Sequence, residues 1–277
     1  MNNLKTLVLL AALSGLLIAL GGALGGSQGV VMALVFAAVM NIGSYWFSAD
    51  IVLRMAHARE IQREDDPHLF EMVAEVAERA GMPMPRVYVI DDAQPNAFAT
   101  GRDPQHAAVA VTSGIRALLT DRELMGVMGH EMAHVKNRDI LTSSVVATIA
   151  SAISSLAYMA MWFGGGSRDS ERGNPLAAIV AMLVAPLAAS LIQMAISRSR
   201  EFQADLDGAR TVQDPEALAS ALAKLQMGAQ RIPMQVAQST AHLYIVNPFS
   251  ARQMAGLFST HPPTEERIAR LRSMRIQ

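Results

Sequence analysis

The sequence of 277 residues contains no cysteine. Without cysteine the protein can form no disulfide, has no thiol nucleophile and cannot hold a metal through thiolates. Charged residues are also scarce, at 17% of the sequence, and 23 basic and 24 acidic side chains nearly cancel. A chain with no basic excess lacks the charge that nucleic acids attract, so we expect no nucleic-acid partner. Any metal site must therefore use histidine, aspartate and glutamate.

Long stretches of the sequence lack charge altogether. No charged residue occurs between Lys5 and Asp50, and the glycine-rich sequence 25–29 divides this stretch into two apolar arms. Each arm approaches the ~20 residues that a helix needs to cross a bilayer, which predicts two transmembrane helices joined by a tight turn. The alternative is a cleaved signal peptide. However, the apolar run exceeds the usual length of about 7 to 15 residues, and a second arm follows at once.

Two more uncharged segments, 140–167 and 173–197, lie on either side of the polar connector 168–172. They predict a third and a fourth membrane span. The third segment is rich in serine and threonine, so a helical hairpin buried within the protein is the alternative. The mean hydropathy of +0.25 for the whole chain agrees with a protein that lies partly in lipid.

The lysine and arginine residues that flank the four segments predict their orientation. Only Arg168 and Arg172 fall on one side of the membrane. The other side carries Lys5, Arg54, Arg59, Arg63, Lys136, Arg138, Arg198 and Arg200. Because the richer side is normally cytoplasmic, we expect both termini in the cytoplasm. The resulting domains are a transmembrane hairpin at 1–49, a first cytoplasmic part at 50–139, a second transmembrane hairpin at 140–197 and a second cytoplasmic part at 198–277.

The first cytoplasmic part has the pattern of a small sheet followed by a helix. Residues 67–80 place apolar side chains at helical spacing, and 86–90 is a predicted strand. The stretches 96–100 and 107–112 are predicted to pair as strands. Thr120 begins a capping box ahead of a further helix. Additional helices are predicted at 197–211, 215–227 and 264–274. The fold class is therefore mainly α with a small β-sheet, combined with four transmembrane helices.

The strongest chemical signal is His130-Glu131-Met132-Ala133-His134. Residues four apart share one face of a helix, so both imidazoles can bind one ion. Glu131 lies about 100° around the helix and can reach water on that ion without binding the ion. Zinc held by two imidazoles and a carboxylate keeps an open position for an acidic water, from which Glu131 can take a proton during attack on a peptide carbonyl. The alternative is two surface histidines on an exposed helix.

A third ligand is offered by the segment 197–205. Glu201 follows the fourth apolar segment directly, and Asp205 lies one helical turn beyond it. Asp205 is placed to accept the second ring N–H of a ligand histidine and so fix its tautomer. The alternative is the solvated start of a helix with two carboxylates four residues apart.

Together these motifs resemble the HtpX-type membrane zinc proteases, which are relatives of the prenyl-protein (CaaX) endopeptidases. The resemblance rests on His130–Asp139, Ser197–Asp205, Asn96–Ala99 and His261–Pro263, and on four apolar segments in the same order. It implies that His130, His134 and Glu201 bind one Zn²⁺ per chain and that Glu131 is the catalytic base. It also implies a zincin-like cytoplasmic catalytic domain in a multi-pass protein of the cytoplasmic (inner) membrane.

The same resemblance implies proteolytic quality control under stress, with misfolded membrane proteins and unfolded polypeptides as substrates and the lipid bilayer as a partner. Two other functions stay open. One is a processing peptidase of narrow specificity, which we would expect to have a larger enclosure of membrane helices. The other is a non-enzymatic membrane scaffold that binds metal, for which we would expect charged residues within the spans. No particular oligomeric state is predicted.

Asn96, Ala97, Phe98 and Ala99 are the candidate substrate-binding residues. They are predicted to form an edge strand beside the catalytic helix, to which an extended substrate adds through main-chain hydrogen bonds. An ordinary buried strand with Phe98 in the core is the alternative. Arg267 and His261 are candidates for steadying the substrate or the oxyanion, with a surface helix start as the alternative for each. The remaining histidines have no partner at ligand spacing and are interpreted as surface or core residues: His57, His68, His106 and His242.

Overall fold

The structure is a computed structural model, and it describes residues 2–149, 198–231, 243–245 and 262–275. Within these residues the protein is mainly helical with one small mixed sheet. The helices are α1 (Asn2–Met55), α2 (Pro67–Ala80), α3 (Ser113–Leu118), α4 (Asp121–Lys136), α5 (Asp139–Ile149), α6 (Arg198–Val212), α7 (Pro215–Arg231) and α8 (Thr264–Ser273). The strands are β1 (Arg59–Ile61), β2 (Arg86–Ile90), β3 (Ala97–Gly101) and β4 (Ala107–Thr112).

Helix α1 is interrupted at Gly26, where the backbone adopts φ 57° and ψ −141°. Glycine reaches this positive φ without the steric cost that other residues meet. The Nδ2 atom of Asn41 donates a hydrogen bond of 2.8 Å to the Oγ atom of Ser14. On an unbroken helix these residues would stand about 40 Å apart, so the chain reverses at the glycine-rich turn. The two arms therefore form a helical hairpin.

Among the described residues, one helix is long and apolar enough to cross a membrane, at Gly26–Met55. Its apolar window is only 11% buried, unlike the core helix of a soluble protein. Near its end, however, Val52 and Leu53 are buried in the same cluster as residues of β2 and β3. This helix is thus continuous with the core of the folded domain. The predicted third and fourth spans lie outside the described residues, except for 140–149, which form most of the apolar helix α5.

The sheet has the strand order β1-β2-β4-β3. Strand β2 pairs with β4 in parallel, and β1 and β3 add at the two edges in antiparallel directions. The predicted pairing of 96–100 with 107–112 is confirmed, with Ala97 opposite Val111 and Ala99 opposite Val109. Strand β3 is the edge strand nearest the helices, and it contacts α4. The sheet therefore presents β3 to the face where the histidines of α4 lie.

Helix α4 is the centre of the helical layer. It begins with the predicted capping box at Thr120 and Glu123 and is covered by α2, α6 and α7. Glycines allow the closest approach, since a Cβ atom on Gly208 of α6 would lie 2.6 Å from the backbone N of His130. A Cβ on Gly126 would similarly meet the backbone N of Leu218 in α7 at 2.8 Å. These contacts bring α6 against the face of α4 that carries the two histidines.

Helix α4 does not continue from His134 into the third apolar segment. Helix α4 ends at Lys136, and Arg138 adopts a left-handed backbone conformation with φ 57°. Asn137 helps to hold this turn by donating from its side chain to Asp207 of α6 at 3.1 Å. Helix α5 then begins at Asp139. The break lets the start of α5 fold back toward the end of α4.

Candidate metal centre and its cleft

His130 and His134 of α4 and Glu201 of α6 converge on one point. One ligand atom from each residue lies within 4.8 Å of the others. The Nε2 atoms of the two imidazoles are 3.2 Å apart. The carboxylate oxygens of Glu201 lie 3.5 Å from Nε2 of His134 and 3.8 Å from Nε2 of His130. The fold thus brings together three residues from two helices that are distant in sequence.

This donor set fits a zinc ion. Imidazole nitrogens and a carboxylate oxygen are among the ligands that zinc prefers, with bonds of about 2.0–2.2 Å. In a tetrahedral site with such bonds the ligand atoms stand roughly 3.3–3.5 Å apart. The 3.2 Å between the two Nε2 atoms and the 3.5 Å between Nε2 of His134 and Oε1 of Glu201 lie close to that value, and Oε2 of Glu201 is 3.8 Å from Nε2 of His130. Three protein ligands also leave one position open, as in catalytic zinc sites.

A carboxylate orients the imidazole of His130. Oδ1 of Asp205 lies 2.9 Å from Nδ1 of His130, so a ring N–H at Nδ1 leaves Nε2 directed at the cluster. Arg267 of α8 in turn donates to both oxygens of Asp205, at 2.8 and 2.7 Å. Burial opposes the charge of Asp205, but the ion pair and hydrogen bonds with Arg267 hold its pKa far below the usual range. The carboxylate therefore stays ionised behind the histidine.

The pKa values of the two imidazoles are shifted in opposite directions. Burial lowers the pKa of His130 to about 4, although Asp205 opposes this shift. Burial would also lower the pKa of His134, but the nearby carboxylates of Glu201 and Asp139 raise it to about 9. A proton and a metal ion compete for the same imidazole nitrogens. The excess of carboxylates around His134 thus marks a place that attracts a cation.

Glu131 lies beside this cluster on α4 and is 2% exposed. Burial raises its pKa to about 7, and the neighbouring Glu201 adds to the rise. Its carboxylate accepts a hydrogen bond from the backbone N–H of Ala99 in β3. The side chain is therefore anchored to the edge strand at a point that faces the candidate ligands.

The ligands line a partly open cavity of about 40 Å³. Its walls include Ala99, Glu131, Asp139 and the segment 243–245. A single water needs on the order of 10–15 Å³ by the same kind of measure, so the cavity has room for an ion and water. Arg267 is not among the residues that line this cavity.

The outer edge of β3 carries a short segment of the same chain. The C=O of Asn96 accepts a hydrogen bond from the N–H of Thr112 in β4. Along an antiparallel strand, the main-chain groups of successive residues point alternately toward and away from the neighbouring strand. The main-chain N–H and C=O groups of Ala97 and Ala99 therefore point away from β4. The outward C=O of Ala97 accepts the N–H of Ile245 at 3.1 Å. Phe98 is fully buried and packs edge-to-face on Tyr244 with ring centroids 5.2 Å apart. Strand β3 is thus at the sheet edge, as predicted, and Phe98 also lies in the core, as the alternative held.

The other residues named in the sequence analysis have mixed outcomes. Arg267 is 1% exposed, so the surface helix start that was its alternative is wrong. His261 and His242 lie outside the described residues. His68 and His106 are exposed and pair with Asp121 and Asp103, away from the cluster.

Three features of the site were given no role by the sequence analysis. Asp139 contacts His134, Arg200 contacts Asp139, and residues 243–245 cover the cleft. The contact of Asp139 with His134 depends on the turn at Arg138. The contact of Arg200 with Asp139 and the position of residues 243–245 depend on packing between distant parts of the chain. Spacing rules for a helix cannot reveal any of them.

Comparisons with known proteins match this chain to a family of peptidases. The model of the family described as Peptidase family M48 matches residues 63–275. A "Protease HtpX homolog" of Methylibium petroleiphilum is 56% identical over 276 residues, covering 99% of this chain and 98% of the relative. One from Burkholderia thailandensis is 55% identical, covering 99% and 97%. A solved structure, S. mikatae Ste24p, matches with a TM-score of 0.53 and 20% identity, over 96% of this chain. The chain spans 64% of the length of that protein, and the likeness shows a shared fold.

Proposed function

Because this chain belongs to peptidase family M48 and is similar over its whole length to HtpX proteases, we propose that it is a membrane-integral zinc endopeptidase. The observation that carries the proposal is the convergence of His130, His134 and Glu201 within 4.8 Å. Two helices that are separated by more than 60 residues of sequence supply this cluster, and both ligand histidines also have carboxylate partners on their second nitrogens. An exposed pair of histidines would need neither feature.

In this proposal His130, His134 and Glu201 hold the zinc, and Asp205 fixes the tautomer of His130. Zinc bound there would make a water acidic and polarise the peptide carbonyl. Glu131 is the general base: its carboxylate takes a proton from the attacking water and passes it to the departing amine. The hydrogen bond from Ala99 keeps that carboxylate at the edge of the cleft. Arg267 pairs with Asp205, and its guanidinium also lies 3.5 Å from the ring nitrogens of His130 and 3.9 Å from Oε2 of Glu201, so its role in this proposal is to hold these side chains in place.

The substrate in this proposal is an extended segment of a misfolded or damaged membrane protein. Such a segment adds to the outer edge of β3, where Asn96 to Ala99 offer main-chain groups beside the candidate ligands. The cavity beside the candidate ligands is small, at about 40 Å³. Because Ile245 already bonds the C=O of Ala97, a peptide on this edge has to displace residues 243–245.

The location proposed is the cytoplasmic membrane, with the active site on the cytoplasmic face. Helix Gly26–Met55 has the length and apolar surface to span a bilayer. Helix α5 starts at Asp139, which contacts His134, so the cluster lies directly at the start of an apolar helix. The domain limits proposed are those of the sequence analysis: membrane hairpins at 1–49 and 140–197, and catalytic parts at 50–139 and 198–277.

The substitution Glu131→Gln tests the mechanism. It preserves side-chain volume but removes the base, so cleavage of an unfolded casein-type substrate should fall by at least about 10²-fold. Zinc content per chain should equal that of the wild type, because Glu131 is not a ligand in this proposal. The proteins would be compared in detergent, with chelator-treated wild type as the inactive reference. A Glu131→Gln protein that cuts at the wild-type rate would refute the mechanism.

A further inference from the structure

Each of the two candidate ligand histidines has a carboxylate partner on Nδ1, which is Asp205 for His130 and Asp139 for His134. Oδ2 of Asp139 lies 3.1 Å from Nδ1 of His134. On an unbroken helix a residue five positions along points about 140° away, so this contact could not form. The left-handed turn at Arg138, with φ 57°, reverses the chain and makes the contact possible. The backbone is thus bent at the position that brings this carboxylate to the histidine.

Asp139 is itself held by an arginine. It is 4% exposed, and its other oxygen, Oδ1, accepts from Nη1 of Arg200 at 3.4 Å. This repeats the arrangement at His130, where Asp205 is held by Arg267. Each imidazole therefore has a carboxylate on Nδ1, and each carboxylate is paired with a guanidinium. Both Nε2 atoms are left facing Glu201.

We propose that Asp139 is a positioning residue for His134 and that Arg200 holds Asp139 in place. The proposal rests on the zinc site proposed above. A carboxylate on Nδ1 fixes the tautomer that exposes the Nε2 lone pair and orients the ring toward the ion. Asp139 opens α5 and Arg200 lies in the first turn of α6. The pair therefore joins the residues immediately before and after segment 140–197, so the places where the chain enters and leaves that segment are fixed to the metal site.

The test is a zinc-affinity measurement on the full chain in detergent, by competition with a chromophoric chelator. Asp139→Asn should weaken zinc binding by about 10- to 100-fold, the usual effect of losing such a partner. Arg200→Gln should weaken it in the same direction by a smaller factor, roughly 3- to 10-fold. If Arg200 acts through Asp139, the double variant should bind zinc no more weakly than Asp139→Asn alone. Asp139→Glu should recover part of the loss.

Asp214→Asn is the matched control. It removes another carboxylate–arginine pair, with Arg122 at 2.6 Å, outside the site. This variant should lose thermal stability but keep wild-type zinc affinity. Wild-type affinity in Asp139→Asn would overturn the proposal. If that variant does not fold, wild-type affinity in Arg200→Gln would overturn it instead. Failure of the zinc site itself would look different, because the wild type would then bind no zinc at all.

Discussion

Single buried carboxylates connect parts of this chain that are distant in sequence, and Glu123 is the clearest case away from the cluster. Its side chain closes the capping box of α4 by accepting from the backbone N–H of Thr120 at 2.9 Å. It also accepts from Ser220 at 2.6 Å and from Lys224 at 2.7 Å, both in α7. One carboxylate thus fixes the start of the catalytic helix to its neighbour.

These contacts make the stability of the fold depend on pH in a defined direction. Burial opposes the charge of Glu123, but the hydrogen bonds from Lys224 and Ser220 lower its pKa from 4.5 to about 2. Because the pKa of Glu123 is lower in the folded than in the unfolded protein, its contribution to the stability of the folded state is complete above pH 4.5 and is lost as the pH falls toward 2. The shift corresponds to at most about 3 kcal/mol.

We therefore predict that Glu123→Gln lowers the free energy of unfolding by about 1–3 kcal/mol at pH 7, since Lys224 loses its partner. The difference from wild type should shrink between pH 4.5 and 2. Thermal unfolding in detergent across this pH range measures it. Glu216→Gln is the control, because its pair with Arg272 is exposed and should contribute little. A difference that grows on acidification would contradict the assignment.

The contact between α4 and α6 determines whether Glu201 reaches the two histidines. Alanine normally stabilises a helix relative to glycine by about 0.5–1 kcal/mol. At Gly208, however, the added Cβ would meet backbone atoms of α4 at 2.6 to 2.8 Å, and backbone cannot move aside cheaply. The packing cost is expected to exceed the gain in helix propensity.

Gly208→Ala should accordingly destabilise the protein by about 1–3 kcal/mol and weaken zinc binding, because α6 has to move away from α4. Gly43→Ala in α1 serves as the control, since a Cβ there meets nothing within 4 Å. Unfolding and zinc titrations of both variants would be compared. A Gly208→Ala protein with unchanged stability and zinc affinity would show that the close helix approach does not set the site.

The segment 243–245 competes with substrate for the edge of β3 in this account. Ile245→Pro removes the N–H that bonds to Ala97, whereas Ile245→Ala keeps it and removes only side-chain packing. We predict a KM for an unfolded substrate that is about 2- to 5-fold lower in the proline variant than in the alanine variant, because a lost hydrogen bond is worth roughly 0.5–1.5 kcal/mol. Equal KM values in the two variants would remove this competition from the account.

Elements with local signals were predictable from the sequence. Helix α2 follows from its apolar spacing and the left-handed Gly81 at its end, and the start of α4 follows from the Thr120 capping box. The group of His130, His134 and Glu201 was also predictable, because helical spacing and the resemblance pointed to the same residues. The turn at Arg138 was not predictable from the sequence, because a non-glycine residue at positive φ leaves no local sequence pattern. The turn is held by contacts between distant residues, such as that of Asn137 with Asp207. The role of 243–245 was equally hidden, because its place depends on contacts with residues distant in sequence, namely Ala97, Phe98 and Arg267.

The whole molecule has a polar catalytic unit joined to apolar helices, and the absence of cysteine makes its orientation measurable. Glu64 is exposed and lies in the segment 50–139, for which we propose a cytoplasmic location. A single cysteine at this position should react with a membrane-impermeant maleimide only after cells are permeabilised. A cysteine at Asp169, in the predicted connector 168–172, should react in intact cells. The cysteine-free parent gives the background. The opposite labelling pattern would place the active site on the other face.

In the proposed site one zinc ion is held by residues from two distant parts of the chain. Metal analysis after dialysis would compare wild type, Glu201→Ala and Glu131→Gln, with Glu216→Ala as a control for loss of a surface carboxylate. We expect one zinc per chain in the wild type, in Glu131→Gln and in Glu216→Ala, and well below one in a folded Glu201→Ala. One zinc per chain in Glu201→Ala, bound as tightly as in the wild type, would refute the proposed site.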